Sequence, residues 1–243
     1  MDLIRIFVGH DPREAIAYDV FCHSVLARSS APVSFTPLAL NTLKDHYRET
    51  HADGSNQFIY SRFLVPYLCN FVGWAIFVDG DMLCRDDIAK LWRQRDSSKA
   101  VQVVKHDYRT KAHAKYLGAP NTDYPRKNWS SVVIWNCGHP ANSRLTPEAL
   151  MNQTGAFLHR FQWLKEEEIG EIHSTWNWLV TEYEQDPYAS LVHFTLGTPC
   201  FQEYRDCDYA NEWYDELAEM LAVEGERGHA WIDGKTAPRQ AKG

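Results

Sequence analysis

Two carboxylates stand one residue apart at the end of an apolar run: "GWAIFV" (73–78) leads directly into Asp79-Gly80-Asp81. Taking an unpaired carboxylate out of water is costly, so a strand that delivers two acids to its own end needs a reason. One reading is an ordinary solvated Asp-Gly turn. The other is a pair of hard oxygen ligands for a divalent cation, Mn2+ or Mg2+, both of which favour oxygen-rich sites. Gly80, between the acids, lets backbone or ligand approach closely. A later apolar stretch, "LVHFTLGTP", carries His193. Its imidazole, if it joined the two carboxylates, would tilt the site toward Mn2+ over Mg2+; the alternative is a satisfied structural histidine. Gly197 in the same stretch would let a loop come close to a phosphate. Upstream, "FIYSRFLVPYL" places Tyr60 and Arg62 just before the Asp-Gly-Asp strand. An arginine there offers bidentate recognition of phosphate or sugar oxygens, against the alternative of a solvated surface cation.

These side chains can act together only if the elements carrying them meet. "LIRIFVG" (3–9) reads as a strand, and "HDPREAIAYDVFCHSVLARSS" (10–30) as a helix with Asp11 as N-cap, Pro12 at its first position and Glu14 at capping-box distance. "PVSFTPLAL" (32–40) is a second strand, and the β-α-β order predicts a parallel sheet. Residues 58–70 read as a helix bent at Pro66, residues 73–78 as the third strand, and "DDIAKLWRQ" (86–94) as a short helix. "KAVQVVK" (99–105) and "SSVVIWNCG" (130–138) are further strands. Between them, residues 106–128 are polar, irregular and long enough for a lid or binding loop. Helices are expected over 146–161 and over "STWNWLVTEYEQD" (174–186), a late strand over 189–200, a closing acidic helix over 209–226 and a frayed tail over 233–243. In open α/β sheets, ligands bind beyond the carboxyl ends of the strands, which is where Asp79 and Asp81 fall.

The chain has 243 residues, 44% of them hydrophobic and 13% aromatic, enough for a substantial core. One domain over 1–232 is expected. A formal charge of −7 argues against a protein that coats nucleic acid, since phosphate contacts need clustered cations. Six cysteines without a C-x-x-C pair read as reduced, mostly buried thiols in a cytoplasmic protein. The N-terminus shows no basic region followed by a long apolar one. The most apolar stretch, residues 63–78, is too short for a membrane span and is interrupted by Pro66, Asn70 and Gly73. Peripheral contact with the inner face of a membrane is left open, as is the oligomeric state.

Taken in order, "IRIFVGHD", "YSRFLVPYL", "FVDGDMLC", "SSVVIWNCG" and "VHFTLGTPCF" resemble the nucleotide-sugar glycosyltransferases of GT-A architecture, and among them the glycogenin-like retaining enzymes of family 8. The resemblance implies an α/β, Rossmann-like GT-A fold with a mixed, mostly parallel sheet flanked by helices. It also implies transfer of a hexosyl unit from a nucleotide-diphosphate sugar to a glycan, a lipid-linked saccharide or another carbohydrate-type acceptor, with retention. Asp79, Asp81 and His193 would hold Mn2+, which bridges the donor diphosphate. Val8, His10 and Asp11 would meet base and ribose, Tyr60 and Arg62 would sit near the donor, and Gly197 would line the diphosphate.

Three departures qualify the resemblance. The family's late motif continues to a phosphate-binding lysine and Pro-Trp, whereas here it reads Gly197-Thr198-Pro199-Cys200-Phe201; Lys105, Arg109 and Lys111 are the candidate replacements. The family's Asn-Ala-Gly or Asn-Ser-Gly is matched only loosely by Asn128-Trp129-Ser130-Ser131. Its Asp-Gln-Asp is absent, and "EIHSTWNWL" stands in that region with Glu171, His173, Ser174 and Asn177 as candidates; the alternative is that Asn177 and the flanking tryptophans are core and cap residues. No strong side-chain nucleophile stands near the motif, which favours a front-face reaction over a covalent intermediate. A haloacid-dehalogenase-type phosphatase also runs a strand into Asp-x-Asp, but near its N-terminus and not after a complete β-α-β. A non-catalytic nucleotide-sugar or carbohydrate-binding module on the same fold is the other alternative.

Overall fold

The computed structural model describes residues 2–52, 54, 56–118 and 121–222, so the expected tail over 233–243 lies outside the described residues. Nine strands carry the framework: β1 (Ile4–Gly9), β2 (Val33–Leu38), β3 (Trp74–Val78), β4 (Met82–Cys84), β5 (Val101–Val103), β6 (Val132–Asn136), β7 (Ile169–Glu171), β8 (Trp178–Leu179) and β9 (Leu191–His193). Six form one sheet in the order β2-β1-β3-β6-β5-β7, and three form a second in the order β4-β9-β8. In the larger sheet β6 alone runs against its neighbours, pairing antiparallel with β3 and β5. The remaining ladders are parallel. The result is a mixed, mostly parallel α/β sheet.

Strand β3 lies between β1 and β6, with Val78 opposite both Val8 and Val132. Side chains alternate faces along a strand. Ala75 and Phe77 therefore join one core with Phe63, Val133 and Trp135, and Ile76 and Val78 join another with Ile6, Val8 and Phe21. Both faces are covered, so the strand is apolar throughout. The chain then turns at Gly80 because β1 ends against it: a Cβ on Gly80 would stand 2.1 Å from the carbonyl oxygen of Gly9. Leaving that turn, β4 enters the second sheet opposite β9, with Met82 aligned to His193 and the Phe194 N–H donating to the Asp81 carbonyl at 3.0 Å. Asp81 and His193 are thus set side by side by a three-residue ladder.

Helix α1 (Ala15–Arg28) follows a 3-10 turn, Pro12–Glu14, capped by Asp11, whose side chain accepts from the Arg13 N–H at 3.0 Å. The closing helix, Ala210–Ala222, docks on α1 through buried Glu216, which contacts His23 Nδ1 at 2.5 Å and Arg28 at 2.7 Å. Three expected helices are corrected. The stretch 58–70 is a 3-10 turn, Ser61–Leu64, followed by the short helix Val65–Leu68 with Pro66 in its first turn. The stretch 146–161 divides into Pro147–Asn152 and Gly155–His159, because Thr154 starts a new helix by accepting from the Phe157 N–H at 3.1 Å. The stretch 174–186 is a 3-10 turn, Ser174–Asn177, followed by β8, because Trp178 and Leu179 pair with Val192 and His193. The described part of residues 106–128 carries one 3-10 turn, Tyr116–Gly118, and is tied internally by Lys127 Nζ donating to Asn121 Oδ1 at 2.6 Å. All six cysteines are free thiols. Among the described residues no helix is long and apolar enough to cross a membrane.

Candidate metal centre

Asp79, Asp81 and His193 converge so that one ligand atom from each lies within 4.8 Å of the others. His193 Nε2 is 3.4 Å from Asp81 Oδ1 and 3.9 Å from Asp79 Oδ2. All three residues are buried. The other ring nitrogen of His193, Nδ1, is 2.9 Å from Asn177 Oδ1, while Asn177 Nδ2 donates to the Asn128 carbonyl at 3.1 Å. The amide commits its N–H to a carbonyl, so its oxygen is the acceptor and His193 Nδ1 carries a proton. The Nε2 lone pair is thereby turned toward two carboxylates. Three electron-rich ligands facing one point fit a cation, and an imidazole held by an outer hydrogen bond is the usual arrangement around a metal. Two oxygens and one nitrogen suit Mn2+ or a similar divalent ion.

Beneath the carboxylates, Arg62 is buried, 2.7 Å from Asp79 Oδ1. It donates to the carbonyls of Ser130 at 3.0 Å and Ile59 at 3.1 Å, and its guanidinium lies over the rings of Phe58 and Phe77. Strand parity explains the pairing, since Asp79 continues the face of Phe77. Burial, with Asp81 adding to it, pushes the Asp79 carboxyl up to about 6 against the pull of Arg62. Burial acts on Asp81 in the same direction, but His193, with Lys115 and a backbone N–H, outweighs it and holds that carboxyl below its usual range. Burial also depresses the Lys115 ammonium, while the charges of Asp81 and Asp79 work to keep it protonated, so this loop lysine lies within electrostatic reach of the carboxylates.

The expected site residues divide into two groups. Asn128, Ser130, Asn177 and Arg62 are drawn into the buried network around the triad; Ser130 Oγ also meets His159 Nδ1 at 2.8 Å. Near the end of β1, the Val8 side chain is core, His10 packs edge-on against Tyr18, and Asp11 accepts from Arg13 and from the Gln57 N–H at 3.2 Å. Gly197 is buried with φ 153°, a conformation that favours glycine. Others lie apart from the triad. Tyr60 is a core residue stacked on His51, and Lys105 pairs with Glu166 at 3.3 Å over the Trp129 ring. Glu171 is exposed on β7, separated from β3 by β6 and β5. His173 caps the turn before β8, and Lys111 donates its backbone N–H to Glu182 at 2.8 Å. Sequence reasoning missed Lys115, since no spacing marks one lysine within a long irregular loop.

No protein-family model matches the chain. Protein CDI of Arabidopsis thaliana is 48% identical over 223 residues, covering 88% of this chain and 86% of that protein. Among solved structures, the bifunctional glycosyltransferase WbbM superposes with a TM-score of 0.64 at 13% identity over 97% of this chain and 52% of the other; the chain thus spans about half of WbbM. The glycosyltransferase GlyE of Streptococcus pneumoniae TIGR4 gives 0.58 at 11% identity, over 99% of this chain and 67% of that one. The galactosyltransferase LgtC in complex with donor and acceptor sugar analogues gives 0.50 at 13%, over 88% and 95%. The fold is therefore that of GT-A glycosyltransferases.

Proposed function

We propose, for a chain that belongs to the family of the Arabidopsis thaliana Protein CDI, that it is a metal-dependent glycosyltransferase moving a hexosyl unit from a nucleotide-diphosphate sugar to a carbohydrate-type acceptor. The observation that carries this reading is the buried Asp79-Asp81-His193 triad, with His193 oriented by Asn177, on a glycosyltransferase fold. When bound there, Mn2+ would supply Lewis-acid stabilisation of the charge on the departing diphosphate. Arg62 balances the charge of Asp79 from below. Lys115, whose charge both carboxylates favour, is assigned the role of the lysine the late motif lacks. The end of β1, with Val8, His10 and Asp11, is assigned to the nucleotide, and Gly80 and Gly197 to the close backbone approaches around the diphosphate. The central carboxylates are committed to the cation, and Glu182 accepts from the Lys111 N–H. That supports a front-face, retaining reaction of the family 8 type without a covalent intermediate. Six free thiols suit a reducing, cytoplasmic setting.

A screen of nucleotide sugars with and without Mn2+ tests the reading. At least one donor is expected to release its nucleoside diphosphate only in the presence of metal. A chain that neither binds nor turns over any of them is not a transferase.

A further inference from the structure

At the amino end of β3, the end away from Asp79, two thiols from remote parts of the chain meet. Cys69 caps the carboxyl end of the short helix Val65–Leu68, and Cys137 is the first residue after β6. The antiparallel register of β3 and β6 sets Trp74 opposite Asn136, and beyond that pair the Gly138 N–H donates to the Gly73 carbonyl at 3.4 Å. The turn that joins the helix to β3 is thereby laid over the end of β6. The two sulfurs come into hydrogen-bonding contact there, within one core. Other thiols meet oxygen instead: Cys22 the Tyr18 hydroxyl, Cys84 the Asp86 carbonyl at 3.0 Å, and Cys200 the Thr198 hydroxyl at 2.9 Å.

The pair is asymmetric. The Cys137 S–H donates to the Cys69 sulfur, and that bond, helped by the charge of Arg5, draws the Cys69 thiol below its ordinary value against the effect of burial. The same bond, with burial, holds the Cys137 thiol well above its own. Arg5 is anchored nearby, its Nη2 donating to the Val72 carbonyl at 2.9 Å and the Trp74 carbonyl at 2.7 Å. One sulfur with thiolate character beside a second that stays protonated is the arrangement of an attacking and a resolving cysteine. Cys69 is 6% exposed and Cys137 fully buried, so a small oxidant reaches Cys69 first. The cover above them is the turn over residues 70–73, where Asn70, Val72 and Gly73 are exposed and Asn70, Phe71 and Gly73 have φ of 52°, 56° and 71°. Left-handed backbone is costly for a side chain such as that of Phe71, which lowers the cost of opening the turn.

We propose that Cys69 and Cys137 are a redox pair that a peroxide converts to a disulfide. The Cys69 thiolate attacks one peroxide oxygen and the O–O bond breaks; hydroxide leaves, takes up a proton and becomes water, and Cys69 is left as a sulfenic acid. The Cys137 sulfur then attacks Cys69 Sγ, the S–O bond breaks, and the departing hydroxide leaves with the Cys137 proton as a second water. The two thiols lose two electrons in all, and the peroxide gains them. Neither step uses the metal centre, so the proposal does not rest on the transferase reading. Treatment of the folded full chain with equimolar hydrogen peroxide, followed by alkylation, digestion and mass spectrometry, tests it. A peptide pair joined through Cys69 and Cys137, lighter by two hydrogens and separated again by dithiothreitol, is expected, with Cys84 still a thiol. In Cys137→Ala the Cys69 sulfenic acid is expected to persist and to be captured by dimedone. The oxidised wild type is expected to unfold at a higher urea concentration than the reduced chain, because the cross-link constrains the unfolded state. Oxidation of Cys200 that leaves Cys69 and Cys137 as thiols, a linkage that forms only in urea, or no dimedone adduct on Cys69 in Cys137→Ala overturns the proposal.

Discussion

His193 presents Nε2 to Asp79 and Asp81 because Asn177 fixes the proton on the other nitrogen. Removing such an outer partner typically costs 10- to 100-fold in metal affinity. Asn177→Ala is expected to weaken Mn2+ binding by about that factor in calorimetry; unchanged affinity would mean that something else aligns the imidazole. The two carboxylates are not equivalent. Asp79 is the counter-ion of buried Arg62, whereas Asp81 faces His193. Asp79→Asn is therefore expected to cost about 3–5 kcal/mol of stability in the metal-free protein, and Asp81→Asn much less, while each abolishes metal binding. Urea unfolding of both variants checks the asymmetry, and equal costs would contradict the pairing with Arg62. Residue types and strand position were enough to single out Asp79, Asp81 and His193. The partners were less legible: Arg62 read as a donor contact, and Lys115 carried no signal, since both owe their positions to elements remote in sequence.

At the scale of elements, β3 is legible because it is covered on both faces and reads as one apolar run. Strands β4 and β8, three and two residues long, are too short to show a period. The composition of the segment 174–186 suits a helix, but its conformation is decided by pairing to β9 and by the use Asn177 finds in the buried network. Gly80 is the clearest meeting of elements. The atom a Cβ would strike is backbone, the Gly9 carbonyl, and cannot move aside as a side-chain tip would. Gly80→Ala is expected to lose at least about 3 kcal/mol of stability, the upper part of the range for overpacking. It should weaken Mn2+ binding as well, by separating Asp79 from Asp81. A variant with wild-type unfolding and metal affinity would show that the turn can open without consequence.

Over the whole molecule, two buried histidines set the response to acid. His106 and His159 are pushed to about 3 by burial, from an ordinary value of 6.5, so below that value the unfolded chain binds protons that the folded chain refuses. Stability then falls as pH drops from about 6.5 toward 3. Asp79 works the other way: at about 6 in the fold against 3.8 ordinarily, it takes up a proton on folding between those values. Two groups against one leave a net loss of roughly 1.4 kcal/mol per pH unit between about pH 6 and 4. Denaturant unfolding in chelator at pH 6 and 4.5 measures it; stability that is flat or rising on acidification contradicts the two neutral histidines. The GT-A architecture was legible in the order of weak motifs. The contact between Cys69 and Cys137 was not, because the two are remote in sequence and only the folded chain lays the turn before β3 over the end of β6. The central claim is that the triad serves sugar transfer through a metal. Its most direct test is release of nucleoside diphosphate from nucleotide sugars by wild type and Asp81→Asn, with Mn2+ and with chelator. The prediction is turnover by wild type with Mn2+ alone; turnover that survives chelator or the substitution, or none from any donor, contradicts it.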